Sequence, residues 1–125
     1  MLELKYKDIT EKIIGAAMKV HAALGNGFQE VIYQRALAWE FSQAGLNFAR
    51  EIEQEIYYKD LPKPIGTRRA DFVVENKVLV ELKTVINLDD AHLSPILNYL
   101  KAYKLEVGLL INFGSKSFTF KRVVL

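Results

Sequence analysis

The stretch RRADFVVENKVLVELK, residues 68 to 83, constrains this chain more than any other. Its two apolar runs have strand length and flank the polar Glu75-Asn76-Lys77, which predicts a hairpin over 68–75 and 78–83. Asp71, Glu81 and Lys83 lie inside the apolar runs rather than in the turn. Side chains alternate along a strand, so Glu81 and Lys83 emerge together with Leu79, and Asp71 emerges with Val73 and Glu75. In an antiparallel pair all opposed positions share one sum, so Asp71 faces Glu81 only if Val74 faces Val78. A three-residue connection gives that register, with Asn76 or Lys77 in a left-handed conformation beside a bulge. A two-residue turn would send the two acids to opposite faces.

Two carboxylates brought together repel, and positive charge must offset them. Lys83 supplies one such charge. A divalent cation supplies more, and hard oxygen ligands suit magnesium or manganese. The competing expectation is a pair of solvated acids at strand ends, with Lys83 forming a surface ion pair to one of them.

Elsewhere the periodicity is helical first. Ile9, Ile13, Ala16, Ala17, Val20 and Leu24 predict a helix over 9–23, with Asp8 and Glu11 placed as a capping box. Gly25-Asn26-Gly27 breaks it, a second helix covers 28–44, and Gly45 stops that one. Residues 48–58 alternate, placing Phe48, Arg50, Ile52, Gln54, Ile56 and Tyr58 on one strand face and Glu51, Glu53 and Glu55 on the other. Residues 59–66 hold two prolines and a glycine and read as a loop. A third helix falls between 90 and 104, begun either by Asp89 or Asp90 or at Ser94-Pro95. The continuous apolar run 107–113 reads as a strand buried on both faces, and 118–124 as a last strand. Helix, helix, three strands, helix, two strands predicts an α/β or α+β domain, a mixed central sheet flanked by helices, over residues 1–125.

Composition narrows the setting. Half of the 125 residues are hydrophobic, none is cysteine, and the net charge is +2, so disulfides and thiolate metal sites are excluded. The absence of a long apolar run and of a signal-peptide core leads to an expectation of a cytoplasmic protein with no membrane association. The net charge is too small to argue for nucleic acid by itself.

On the second helix Glu30, Tyr33, Leu37, Phe41 and Ala44 form one stripe. Glu30 is then either a buried acid in need of a partner or a first-turn glutamate favoured by the helix dipole. Gln54 sits among Ile52 and Ile56, where an amide satisfies backbone groups. His21 and His92 have no partner at metal-ligand spacing and read as core-edge or surface imidazoles. Lys59, Lys63, Arg68, Arg69, Lys101 and Lys104 read as a phosphate track or as ordinary solvated charge.

Gly27-Phe28-Gln29-Glu30-Val31-Ile32-Tyr33 fits G-x-x-E-x-x-Y, and Asp71 with Glu81-Leu82-Lys83 fits D…E-x-K. With VHAALGNGF, LNYLK and GLLINFG, these make the chain resemble the GxxExxY family of the PD-(D/E)xK nuclease superfamily over about residues 8–114. Ala70 stands where that signature has proline, and Pro95 stands where relatives with Q-x-x-x-Y carry glutamine, four before Tyr99.

The resemblance implies a restriction-endonuclease-like αβββαβ core carrying an extra N-terminal helix. It implies Asp71, Glu81, the carbonyl of Leu82 and Glu30 as ligands of Mg2+ or Mn2+, with Lys83 acting on the attacking water and the transition-state charge. Tyr33, Gln54 and Tyr99 become supporting residues, Tyr33 through a phosphate contact, and Lys63, Arg68 and Arg69 become nucleic-acid contacts. Hydrolysis of phosphodiesters in DNA, in preference to RNA, is the expected activity. The alternatives are a dormant nuclease-like fold that binds nucleic acid or protein, and a homodimer paired through its last strands.

Overall fold

The computed structural model of the protein describes residues 5–125. Helix α1, Lys7–Leu24, is followed by α2, Glu30–Gln43, and then by strands β1, Phe48–Ile56, β2, Gly66–Val74, and β3, Val78–Lys83. A 3-10 turn, Asp90–His92, leads into α3, Ser94–Tyr103, before β4, Val107–Asn112, and β5, Thr119–Val124. The strands form one sheet in sequence order, parallel between β3 and β4 and antiparallel elsewhere. A parallel pair needs a crossover, which the segment containing α3 provides. No helix among the described residues is long and apolar enough to cross a membrane.

Each face of the sheet carries its own core. On one, Phe72, Val74, Val80, Leu82, Leu109 and Ile111 pack with Ile13 of α1 and Leu37 and Phe41 of α2. On the other, Ala70, Val73, Leu79, Leu110 and Val123 pack with Ile96 and Leu100 of α3. Covering both faces is what buries every residue of β4, as its unbroken apolar run predicts.

The hairpin register is the one its turn length predicts, with Val74 opposite Val78 and Phe72 opposite Val80. The left-handed turn residues are Glu75 and Asn76, not Lys77, and Glu75 fixes its end of the turn by accepting from the Asn47 backbone N–H at 2.9 Å.

Two helix starts differ from expectation. Tyr6, left-handed at φ 59°, precedes α1 and no side chain caps it, so Asp8 lies within the first turn instead of forming a capping box with Glu11. The third helix is split: Asp89 caps the 3-10 turn by accepting from the Ala91 N–H, and α3 starts anew at Ser94 with Pro95 in its first turn. Both start signals in that segment are therefore used.

The largest departure lies in β1. Strict alternation puts Phe48 and Ile52 on one face, yet Phe48 packs with Phe41 and Phe72 while Ile52 packs in the α3-side core. Between them Glu51 has φ 50°, a left-handed backbone that rotates the strand, and the pair Glu51–Asp71 is missing from a register otherwise running from Phe48–Val74 to Ile56–Gly66. Strand β2 changes face at the same place, since Ala70 joins the α3-side core and Phe72 the other. Beyond this point β1 and β2 continue as a two-stranded arm over α3. Gln54 Nε2 donates to the Ala102 carbonyl at 2.6 Å, and the Tyr103 hydroxyl donates to the Ile52 carbonyl.

A carboxylate site where the β2–β3 ladder ends

The ladder between β2 and β3 ends at Phe72–Val80. One step further, side chains take over its hydrogen bonds. The Leu82 N–H donates to Asp71 Oδ2 at 2.8 Å, and the Asp71 N–H donates to Glu81 Oε1 at 3.2 Å. Each carboxyl group thus accepts from the other strand's backbone, which wedges the two acids between the strand ends.

Burial dominates their chemistry. Glu81 is pushed up to about 8, first by desolvation and then by the charge of Asp71, with which its carboxyl group also shares a hydrogen bond. Asp71 is raised by burial as well, opposed by the hydrogen bonds from Leu82, Glu81 and Gln34 and by the charge of Lys83. Glu30, in the first turn of α2, is raised by burial and then by Asp71, with Lys83 opposing. It therefore stands in the field of Asp71 and Lys83 as well as in the first turn of α2. Lys83 has no salt-bridge partner among the described residues, so the surface ion pair of the competing expectation does not form.

The chain after Lys83 is anchored. Buried Asn112, opposite Lys83 in the parallel ladder, accepts from the Val85 N–H at 3.0 Å and donates to the Val85 carbonyl at 2.8 Å. Gly114 lies so close that a Cβ there would come within 2.4 Å of Thr84 C and Val85 N. Only glycine permits that approach.

Two further residues bear on Asp71 and were not singled out from sequence. Gln34, 6% exposed, donates from Nε2 to Asp71 Oδ1 at 3.1 Å, and Arg50 donates to Gln34 Oε1 at 2.9 Å. The signal available was spacing: Gln34 is one turn after Glu30 and polar beside a buried stripe.

Of the other expected site residues, Arg68 and Tyr99 lie beside the carboxylates, and Tyr33, Gln54, Lys63 and Arg69 have other surroundings. Tyr33 makes no phosphate contact: it is fully buried and stacked on Phe113 with ring centroids 4.6 Å apart. Its hydroxyl donates to the Gly25 carbonyl at 2.6 Å and accepts from the Phe28 N–H at 3.2 Å. Arg69 is not free to meet phosphate, because its guanidinium pairs with Glu53 at 3.3 Å and Glu51 at 4.0 Å. Gln54 braces the arm against α3, leaving its buried Oε1 without a hydrogen-bond partner among the described residues. Arg68 lies over the Tyr99 ring, 5.0 Å from its centroid, and the Tyr99 hydroxyl is raised by burial and then by the charge of Glu81. The Arg68–Tyr99 pair is thus the α3-side neighbour of the carboxylates. Lys63 sits exposed in the loop between β1 and β2. Of the histidines, His21 bonds the Ser115 carbonyl through Nε2, and His92 accepts from the Asp89 N–H, both structural roles.

Hard carboxylate oxygens, raised first by burial and, in Glu81 and Glu30, also by the charge of Asp71, are a donor set that a divalent cation fits. Asp71 and Glu81 are already joined. Among the described residues no three His, Cys, Asp or Glu side chains come close enough together to enclose an ion, so Glu30 does not complete a cage in this conformation.

A mixed sheet with helices on both faces, and acids meeting at a broken strand pair, define a restriction-endonuclease-like fold. The family model described as "PD-(D/E)XK nuclease superfamily" matches residues 7–123, and the chain belongs to that superfamily. Among solved structures the chain is similar to the one titled "Crystal structure of SSO0001", at 17% identity and a TM-score of 0.61. That match covers 97% of this chain and 60% of the other, so the chain spans about three fifths of that protein's length and the likeness concerns the fold alone. No curated protein matches the chain.

Proposed function

We propose that the protein is a metal-dependent phosphodiesterase that hydrolyses DNA in preference to RNA, in the manner of the GxxExxY proteins it resembles, and that it works in the cytoplasm. One observation carries this reading: Asp71 and Glu81 replace the backbone ladder at a strand fork and stand in the field of Lys83, which has no salt-bridge partner among the described residues, while Glu30 stands in the field of Asp71.

Asp71, Glu81, the Leu82 carbonyl and Glu30 would hold Mg2+ or Mn2+. A divalent ion held there supplies Lewis-acid stabilisation of the charge that develops on a scissile phosphate. Lys83 Nζ orients the attacking water and donates to a non-bridging phosphate oxygen as charge builds on it. In the metal-free protein the proton shared between Glu81 and Asp71 keeps one of the pair neutral. Arg68, set over Tyr99 on the α3 side, and Lys63 on the adjoining loop contact the backbone phosphates, positioning the strand without reading its sequence.

The test is cleavage of plasmid and of DNA and RNA oligonucleotides in Mg2+ or Mn2+ by the wild type, Lys83→Ala and Asp71→Ala. Cleavage by the wild type and none by the variants is the expected result; equal cleavage by all three removes the reading.

A second reading, a nuclease-like fold that binds without cutting, is favoured by the incomplete cage around Glu30. Titration calorimetry with Mn2+ separates the two, since a binding module of that kind has no need of the ion.

A further inference from the structure

Asp71 accepts hydrogen bonds at both oxygens, from the Leu82 N–H at Oδ2 and from Gln34 Nε2 at Oδ1. The Gln34 amide is itself held at its other end, where Oε1 accepts from Arg50 at 2.9 Å. Arg50, Gln34 and Asp71 come from three elements, β1, α2 and β2. Arg50 lies one residue before the left-handed Glu51, on the stretch of β1 that still faces α2.

An amide has a donor end and an acceptor end, and a buried one turns whichever end its neighbours demand. Here the neighbours leave no choice. A guanidinium can only donate, so it draws Oε1, and the Nε2 group is thereby aimed at Asp71. Turning the amide over would set N–H against guanidinium and carbonyl against carboxylate, two repulsive contacts at a buried position.

We propose that Arg50 and Gln34 form a positioning relay, in which the guanidinium fixes the amide and the amide fixes the rotamer of the Asp71 carboxylate, so that the lone pairs it has left face Glu81 and Glu30. The relay rests on the reading of Asp71 as a ligand and deepens it. Neither Arg50 nor Gln34 touches substrate; both act through Asp71. Residues that orient a ligand by hydrogen bonding, when removed, weaken metal affinity by about 10- to 100-fold.

The experiment uses the full chain as wild type, Gln34→Met, Arg50→Met, Arg50→Lys and the Gln34→Met/Arg50→Met double variant. In metal-free protein, exchange of the Leu82 amide, which is held by Asp71 Oδ2, is followed by NMR against the amides of Leu79 and Val80. In parallel, Mn2+ alone is titrated calorimetrically. The relay predicts faster Leu82 exchange in both methionine variants with Leu79 and Val80 unchanged, Mn2+ affinity lower by about 10-fold or more, recovery in Arg50→Lys, and a double variant no worse than Gln34→Met. Unchanged Leu82 exchange in Gln34→Met and Arg50→Met, or fully additive losses in the double variant, overturns it. Arg50 is exposed, so Arg50→Met decides the matter should Gln34→Met fail to fold. A wild type that binds no Mn2+ removes the proposed function, whereas the Leu82 amide still decides whether the relay exists.

Discussion

Strand β3 has two neighbours that differ in kind. With β4 it forms an unbroken parallel ladder from Val78–Val107 to Lys83–Asn112. With β2 the ladder covers only Val74–Val78 to Phe72–Val80, after which carboxylates accept the N–H bonds. Where the backbone satisfies itself, the side chains are free to be apolar and fill a core. Where it does not, polar side chains must do so, and their burial shifts their protonation. The buried acids Asp71 and Glu81 therefore sit where regular structure fails on one side of a strand that stays regular on the other.

The sharpest way to break this contrast is to damage each side in turn. On the β2 side, Asp71→Ala is expected to reduce DNA cleavage in Mn2+ by about 10^2- to 10^3-fold or more, the scale seen when one electrostatic contact to a transition state is lost. On the β4 side, Leu109→Ala empties part of a fully buried core and is expected to cost about 2–5 kcal/mol in urea denaturation, with the cleavage rate of the folded fraction retained. If both variants lost stability and activity in the same proportion, the division of labour between the two sides of β3 would be wrong.

The pH dependence tests the same division more gently. Glu81 in the folded chain titrates near 8, above its ordinary range, so the folded state binds this proton more tightly than the unfolded one. The stabilisation is complete below the ordinary carboxylate range and is lost as pH rises through about 8. The melting temperature of the metal-free protein should therefore fall between about pH 5 and pH 9. Asp71→Asn, by removing the repelling charge, should flatten that fall in part. At pH 7, calorimetry in buffers of different ionisation enthalpy should show proton release on Mn2+ binding.

The smallest effect concerns the arm. Arg69 is compensated by Glu51 and Glu53, so Arg69→Gln should leave DNA affinity within about twofold. Arg68→Gln, beside the carboxylates, should weaken it and lower the slope of log affinity against log salt by about one. The reverse ranking, read by fluorescence anisotropy, would move the nucleic acid to the arm's other face.

Sequence periodicity carried a good part of this arrangement. The register that opposes Asp71 and Glu81 was legible because turn length and alternation together leave few pairings, and a one-residue slip would expose Phe72, Val74 and Val80. The buried strand β4 was legible from composition alone. What stayed hidden depends on contacts between distant segments. No local signal marks Glu51 as left-handed, and alternation carried past it put Ile52 on the wrong face. Arg69 resembles any basic residue until the opposite strand shows its glutamates. Gln34 carries no local mark of these contacts, because its two partners come from β1 and β2.

Tyr33 gives the spacing between glutamate and tyrosine a meaning of its own. Its hydroxyl ties the Gly25 carbonyl to the Phe28 amide, closing the bend that delivers the chain into α2 at Glu30. A protein could lose every trace of turnover and still keep this tyrosine, because folding alone would select for it. Its place in the sequence pattern is thus accounted for by architecture, whereas the acids at the fork have no such structural duty to the bend.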